Sequence, residues 1–378
     1  IENKKVHVTI TNWGTENKNP VGKIISVLGS VNDHETEINS ILIEGGFESS
    51  FSKTVEEKAI AIDKKIAQKE VLNRLDLRKT PTFTIDPEDA KDFDDAISVK
   101  QLQNKNWEVG VHIADVSHYI KEGDSIDKEA LSRGTSVYLV DRVIPMLPEV
   151  LSNDLCSLKP NEDKLCFSVV FEFNTRAEVV NYKISKTIIH SNKRFTYEQA
   201  QKNINSKSGL FYKELIRIKD LSLLLRSRRK ENGSINFEKP EVKFVLDKDK
   251  NPINVSFKES LDTNKLIEEY MLLANKTIAK HINNKSNFIY RIHDVPDKER
   301  VVDLKNIVKK FNYSIDISNP KGLSKSLNKL LSEIKGRPEE DLIATLTIRS
   351  MSKAIYSNSN IGHYGLSFNF YSHFTSPI

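Results

Sequence analysis

Apolar positions along the chain follow two periods. Val6-His7-Val8-Thr9-Ile10 alternates, as does Gly22 to Gly29 (GKIISVLG), and both read as strands separated by turn residues at Trp13-Gly14 and Asn17 to Pro20. From Asp33 to Leu75 the pattern turns helical, with Thr36 as a candidate cap and apolar residues at Ile38, Ile41 and Leu42 and again from Val55 to Val71. Strand patterns return at Ala96–Val99, at Trp107–Val116 with His112 near the middle, at Ser136–Val140, and twice between Phe167 and Ile189. Arg194-Phe195-Thr196-Tyr197 is expected to open a helix. A longer helix is predicted from Gly209 to Lys230, with Leu215, Ile218, Leu221, Leu224 and Leu225 on one stripe and Asn232-Gly233 as its stop. Asn264–Ile282 has the strongest helical pattern, Phe288–Asp294 reads as a strand, and Val301–Phe311, Leu323–Ile334 and Glu339–Tyr356 read as helices.

The stretch that carries candidate chemistry is PTFTIDPEDAKDFDDAISVK, from Pro81 to Lys100. Asp86, Asp92, Asp94 and Asp95 are spaced D-x5-D-x-D-D and run straight into an apolar strand. On an extended backbone Asp92 and Asp94 share a face and Asp95 takes the other, while Asp86 precedes a Pro87 turn that can fold it back. Carboxylates gathered this way repel and raise one another's pKa unless a cation neutralises them. Mg²⁺, which prefers oxygen ligands and shares its shell with substrate phosphate, is the usual remedy. The plainer reading is a solvated acidic turn. Against it, the cluster is local in a chain whose formal net charge is +5.

Composition adds bounds. The 378 residues suffice for one large domain and part of another, and 29% charged with 38% hydrophobic residues is an ordinary soluble mixture. Basic residues gather at Arg226 to Lys230 and between Lys321 and Lys335, where a polyanion could be held, although a solvated helix face is the plainer account of each. Cys156 and Cys166 are too few for a disulfide framework and are not spaced for zinc, so reduced thiols and a cytoplasmic location are expected. No apolar run approaches the length of a membrane span.

The acidic block TIDPEDAKDFDDA resembles the signature of the RNB family, the ribonuclease II and ribonuclease R exoribonucleases. The resemblance continues through GVHIADVSHYI (Gly110–Ile120), RGTSVYLVDRVIPMLPEVLSNDLCSLKPNEDKLC (Arg133–Cys166) and HYGLSFNFYSHFTSPI (His363–Ile378), and is closer to the ribonuclease R branch. It implies an α+β chain. The tail of an OB-type cold-shock β-barrel (1–32) and a helical connection (33–75) precede the RNB catalytic domain (76–378), a mixed sheet with packed helices that is incomplete at its C-terminus. The family pattern continues past Ser376-Pro377-Ile378 into two arginines, further helices and a basic S1 domain. With no initial Met and a start inside a strand-like pattern, the chain is expected to be a segment of a longer protein.

The activity implied is hydrolytic 3′→5′ degradation of single-stranded RNA, processively, to nucleoside 5′-monophosphates, of the exoribonuclease II type. By resemblance, Asp86, Asp92, Asp94 and Asp95 hold Mg²⁺, as two ions, with Mn²⁺ as a substitute, and Asp94 is the residue assigned to the chemistry. Tyr138 matches a tyrosine that packs on the 3′-terminal nucleotide, Tyr197 one at the RNA 3′ end, Phe237 a phenylalanine that stacks on the terminal base, and Glu268 a glutamate near the terminal ribose. His112 and Asp115 are expected to support the site from outside, and Arg291 and His293 are candidate RNA-backbone contacts. Trp13 is assigned to base stacking or to core or turn packing. A monomer is expected, and association with a helicase or the ribosome is left open. The alternative is an RNA-binding or regulatory protein with an inactive RNB domain, which the intact acidic quartet argues against. A calcium-stabilised loop lacks the glycine and terminal glutamate of an EF-hand.

Overall fold

The computed structural model describes residues 2–15, 18–237, 241–248, 250–258, 260–283, 285 and 287–377. In chain order the first elements are β1 (Lys4–Asn12), β2 (Val21–Ser30), α1 (His34–Glu44), α2 (Lys53–Ile60), α3 (Gln68–Asn73), β3 (Leu75–Asp76), β4 (Thr82–Asp86), β5 (Asp95–Gln101) and β6 (Trp107–Ala114). Next come α4 (Val116–Tyr119), α5 (Ser125–Arg133), β7 (Val137–Tyr138), β8 (Val143–Ile144), β9 (Glu162–Phe173), β10 (Val179–Ser191), β11 (Lys193–Thr196), α6 (Tyr197–Ser206) and α7 (Tyr212–Glu231). The last are β12 (Glu241–Leu246), β13 (Pro252–Lys258), α8 (Asp262–Ile282), β14 (Tyr290–Ile292), α9 (Lys298–Lys310), α10 (Pro320–Glu333), α11 (Glu340–Ser350) and β15 (Ile355–Ser357). They divide into two compact units, one of Ile1–Lys64 with Tyr119–Ser152, the other of Lys65–His118 with Asn153–Pro377.

In the smaller unit β1 and β2 form an antiparallel pair with several register shifts. Trp13 is 74% exposed, which removes core packing as its role. The cap of α1 is Asp33, whose carboxylate accepts from the Thr36 amide at 3.1 Å, and not Thr36. An N-cap must sit outside the first turn with extended dihedrals, and Asp33 does so while Thr36 is already helical. Arg133, at the end of α5, donates to the carbonyls of Glu48 and Ser50 and lies over the Phe51 ring, which ties the segment between α1 and α2 to α5.

The larger unit is built on a seven-stranded mixed sheet in the order β11-β4-β5-β6-β9-β10-β3. Its central ladders are antiparallel, whereas β11 joins β4 and β3 joins β10 in parallel. One face packs on helices. Phe83, Ile97, Val111 and Phe171 from the sheet meet Leu215, Ile218 and Leu221 of α7 and Leu266, Tyr270 and Leu273 of α8 in one buried cluster. Steps of three or four residues between those helix positions put them on one stripe, and each such side chain contributes about 1.5–3 kcal/mol of burial. The Tyr270 hydroxyl donates to the Ile218 carbonyl at 3.0 Å, so this large ring is buried without an orphaned polar group. A second cluster joins α9, α10 and α11 through Val308, Leu327, Leu330 and Ile343, and takes in Ile235 from the segment after α7.

Inside the sheet runs a polar chain. His112 on β6 bonds Ser98 of β5 through Nε2 at 2.7 Å and Ser168 of β9 through Nδ1 at 2.8 Å, and Ser168 bonds Thr187 of β10 at 2.6 Å. Gly110 leaves room for it, since a Cβ there would stand 2.5 Å from His112 Nε2. Burial holds His112 neutral, down at about 3. His112 is therefore a structural residue. Asp115 is likewise held in place, in an ion pair with buried Arg74 at 2.7 Å.

Three element expectations change. Residues 193–196 form strand β11 before α6 begins, because they pair with β4. The predicted Glu339–Tyr356 helix ends at Ser350, where Met351 turns extended, and Ile355–Ser357 becomes β15 paired with β14. Within Ser136–Val140 only Val137–Tyr138 is a strand.

Candidate active site

Asp86 is the last residue of β4 and Asp95 the first of β5. The two strands pair only through Thr82↔Ser98 and Phe83↔Ile97, so beyond Phe83 they part, and the loop carrying Asp92 and Asp94 occupies the opening. The extended strand begins at Asp95, and alternation therefore does not govern Asp92 and Asp94. What orders them is a set of bonds to the loop backbone. The Phe93 amide donates to Ser157 Oγ at 3.0 Å, Ser157 Oγ donates to the Lys91 carbonyl at 3.0 Å, and the Leu158 amide donates to the Phe93 carbonyl at 2.8 Å. The Asp94 carbonyl accepts from the Ala114 amide of β6 at 3.0 Å. From the other flank, Arg194 of β11 donates to the carbonyls of Pro87 and Glu88 and lies 5.5 Å from the Phe93 ring.

Burial dominates the electrostatics of Asp86, Asp94 and Asp95. Burial, followed by the charge of Asp95, pushes Asp86 up to about 8, although Thr84 donates to it at 2.5 Å and Arg194 pulls the other way. Burial, then Asp92 and Asp95, pushes Asp94 up to about 7. Burial alone raises Asp95 to about 6. The quartet is thus one coupled group with Asp94 facing both Asp92 and Asp95. Asp94 Oδ1 is buried with no hydrogen-bond partner, a state that costs about 1–3 kcal/mol for a polar atom and more for a charge. Among the described residues no three His, Cys, Asp or Glu side chains already converge on one ion position. An all-oxygen donor set, mutual repulsion and an orphaned carboxylate oxygen nonetheless fit a hard divalent cation.

The structure brings Tyr197 to this group. It follows Thr196, which stands in register with Asp86 on the parallel β11–β4 ladder, and its phenol is raised by burial and then by the charges of Asp95 and Asp86. Thr196 and Gln199 close a capping box that fixes the start of α6 and with it Tyr197.

Phe237 lies after the Asn232-Gly233 turn and is 37% exposed beside a cavity of 420 Å³ lined also by Lys230, Asn328, Leu331 and Lys335. Its approach is pinned. Asn328 of α10 donates to the Ser234 carbonyl at 2.8 Å and accepts from the Asn236 amide at 3.0 Å, while the Ile235 amide donates to the Gly365 carbonyl at 2.8 Å. Glu268 on α8 keeps a 54% exposed side chain, with Arg229 3.4 Å away. Tyr138 belongs to the smaller unit, on β7, and is 69% exposed.

Three basic candidates turn out to be structural. Arg229 is buried against Glu269, and Arg228 donates to the carbonyls of Arg176 and Ala177, so these two members of the 226–230 run are neither a solvated face nor a polyanion site. His293 is buried, accepts from the Gly365 amide through Nδ1 at 2.9 Å and so donates from Nε2 to the Ser352 carbonyl at 2.8 Å. Both ring nitrogens are used. Sequence reasoning overlooked Ser157, Arg194 and Asn328 as organisers of the site, because a serine, an arginine and an asparagine in unremarkable contexts give no local signal.

The RNB domain model matches residues 74–378, and a cold shock domain model matches residues 1–52. Ribonuclease R of Thermotoga maritima is 40% identical, with 100% of this chain and 54% of that protein covered. Among solved structures, Mycoplasma genitalium RNase R in complex with ribose methylated single-stranded RNA superposes with a TM-score of 0.92 at 30% identity, over 100% of this chain and 60% of that one. The same protein in complex with double-stranded RNA gives 0.92 at 31% identity, over 100% of this chain and 68% of that one. The chain spans about half the length of the curated relatives it matches.

Proposed function

The chain belongs to the RNB family, and from that premise we propose that the whole protein is a hydrolytic 3′→5′ exoribonuclease, of the exoribonuclease II type, that degrades single-stranded RNA to nucleoside 5′-monophosphates. The observation that carries this reading is the quartet around Asp94, in which burial raises Asp86, Asp94 and Asp95, neighbouring carboxylates raise Asp86 and Asp94 further, and Asp94 Oδ1 has no hydrogen-bond partner. Asp86, Asp92, Asp94 and Asp95 would hold Mg²⁺, most naturally as a pair. A divalent cation there supplies an activated water at neutral pH and charge stabilisation on the phosphate.

The chain's own residues do the rest. Ser157 and Arg194 hold the aspartate loop by its backbone, so the carboxylates keep their positions against their own repulsion. Tyr197, whose phenol stays protonated beside Asp86 and Asp95, can donate a hydrogen bond to a phosphate oxygen. Phe237 offers a ring face to the terminal base, a contact that tolerates any base and so suits an enzyme that removes each nucleotide in turn. Glu268 can accept from a ribose 2′-hydroxyl, the group that separates RNA from DNA. The complexes of the Mycoplasma relative with RNA support this polymer as the substrate.

The test is digestion of a 5′-labelled single-stranded RNA by the whole protein, with Mg²⁺ and with chelator. Metal-dependent release of nucleoside 5′-monophosphates with the label retained on shortening strands is expected. Release of the 5′ label as a mononucleotide, or cleavage unaffected by chelator, would contradict the proposal.

A further inference from the structure

Arg291 and Tyr356 stand directly opposite each other on the antiparallel β14–β15 pair, and the Arg291 guanidinium lies 4.6 Å from the centre of the Tyr356 ring. The Tyr356 hydroxyl meets His373 Nδ1 at 2.7 Å, and the Arg291 amide donates to the Tyr371 carbonyl at 3.0 Å. Three side chains from three separate segments are thus locked into one group. Tyr356 is 59% exposed.

This group holds an arginine without an anion among the described residues, as does Arg217 over the Trp107 ring at 4.5 Å, but here a histidine and an exposed tyrosine stand beside it. Arg74, Arg78, Arg133, Arg142, Arg228 and Arg229 each donate to a carboxylate or a carbonyl. The Arg291 guanidinium has no such partner among the described residues, and only the ring supports it. A guanidinium held flat by an aromatic ring keeps its donor edge free and oriented, which suits two-point binding of a phosphate. His373 adds a second polar edge, since Tyr356 engages only its Nδ1. Burial and the Arg291 charge both disfavour the imidazolium, so His373 serves as a neutral hydrogen-bonding group. Both Arg291 and Glu268 act electrostatically on the Tyr371 phenol, which puts the group in the neighbourhood of Glu268.

We propose that Arg291, Tyr356 and His373 form a binding site for one phosphodiester of a single-stranded RNA and the base beside it, separate from the aspartate quartet. The phosphate is held by the guanidinium and the histidine edge, and the base by the exposed tyrosine. Only the identity of the polymer rests on the exoribonuclease reading. His293, two residues from Arg291, takes no part because both of its nitrogens are bonded within the fold.

The test uses the whole protein in chelator, so that binding is read without cleavage, and oligoribonucleotides with one neutral methylphosphonate at successive positions from the 3′ end. Arg291→Gln is expected to weaken binding about tenfold and to lower the slope of log affinity against log salt by about 0.7, the contribution of one single-strand phosphate. The methylphosphonate position that weakens wild type has no further effect in Arg291→Gln. Tyr356→Leu, an exposed change that leaves the charge in place, weakens binding several-fold with the salt slope unchanged. An Arg291→Gln variant that melts like wild type and keeps its affinity, slope and methylphosphonate profile would overturn the site. Cleavage is assayed separately with Mg²⁺. A wild type that shows the Arg291-dependent phosphate contact yet cuts no RNA supports this site while removing the exoribonuclease reading.

Discussion

Ser157 closes a bracket around Asp92, accepting from the Phe93 amide at 3.0 Å and donating to the Lys91 carbonyl at 3.0 Å. One hydroxyl therefore fixes the backbone on both sides of an aspartate whose neighbours repel it. Ser157→Ala removes both bonds and leaves every carboxylate in place. Supporting groups of this kind typically matter tenfold or more at metal centres. Ser157→Ala is expected to raise the Mg²⁺ concentration needed for half-maximal cleavage roughly tenfold, with recovery at high Mg²⁺. A metal titration of cleavage checks it, and an unchanged midpoint would contradict it.

Asp86, Asp94 and Asp95 also impose a pH dependence on stability. Their folded-state values, about 8, 7 and 6, lie above the ordinary carboxylate value of 3.8. The folded chain therefore holds more protons than the unfolded chain between these limits, and stability falls as pH rises through that window. His112 works in the opposite sense below its ordinary value of 6.5, since it stays neutral when folded and charges when unfolded. Above that pH the aspartates act without it. Without divalent metal the melting temperature is expected to fall between about pH 6.5 and 8.5, and less steeply in Asp94→Asn. Thermal melts in chelator check this. Equal slopes in the two proteins would contradict it.

Asn328 holds the backbone of residues 234–236 that leads into Phe237. Asn328→Ala is expected to weaken RNA binding about tenfold, within the roughly 1–3 kcal/mol that a base stack supplies, while the rate at saturating RNA stays near wild type. Asn328→Asp keeps the acceptor for the Asn236 amide and loses the donor to Ser234, so an intermediate effect is expected. Equal KM in all three proteins would refute this role.

The Arg74–Asp115 pair, with both side chains almost fully buried, predicts a large stability effect. Arg74→Ala leaves Asp115 with Lys186 at 3.3 Å as its remaining cation. Breaking a buried pair from one side costs about 3–5 kcal/mol, and denaturant unfolding of Arg74→Ala against wild type measures it. A loss below about 1 kcal/mol would show that Lys186 compensates.

Local pattern made much of this molecule readable. The α8 stripe of Leu266, Tyr270 and Leu273 and the strand that follows Asp95 both carry their period in consecutive residues. Other features depend on partners far away in sequence. Strand β11 is four residues long and exists because it pairs with β4, more than a hundred residues earlier, and nothing local separates Arg194-Phe195-Thr196 from a helix start. Arg229 sits in a basic run that looks solvated until Glu269 of α8 packs against it. The acid block was legible as a cluster, but the loop geometry of Asp92 and Asp94 is set by Ser157, Leu158 and Ala114 from distant segments.

On the proposed reading, the quartet around Asp94 carries hydrolysis of RNA. The most direct measurement compares wild type with Asp94→Asn in the whole protein, following a 5′-labelled single-stranded RNA for cleavage in Mg²⁺ and for binding in chelator. The prediction is that Asp94→Asn loses cleavage by at least about a hundredfold, as expected when a group acting in the transition state is removed, and binds RNA as well as wild type or better, because one repelling charge is gone. Cleavage at the wild-type rate by Asp94→Asn would contradict the claim.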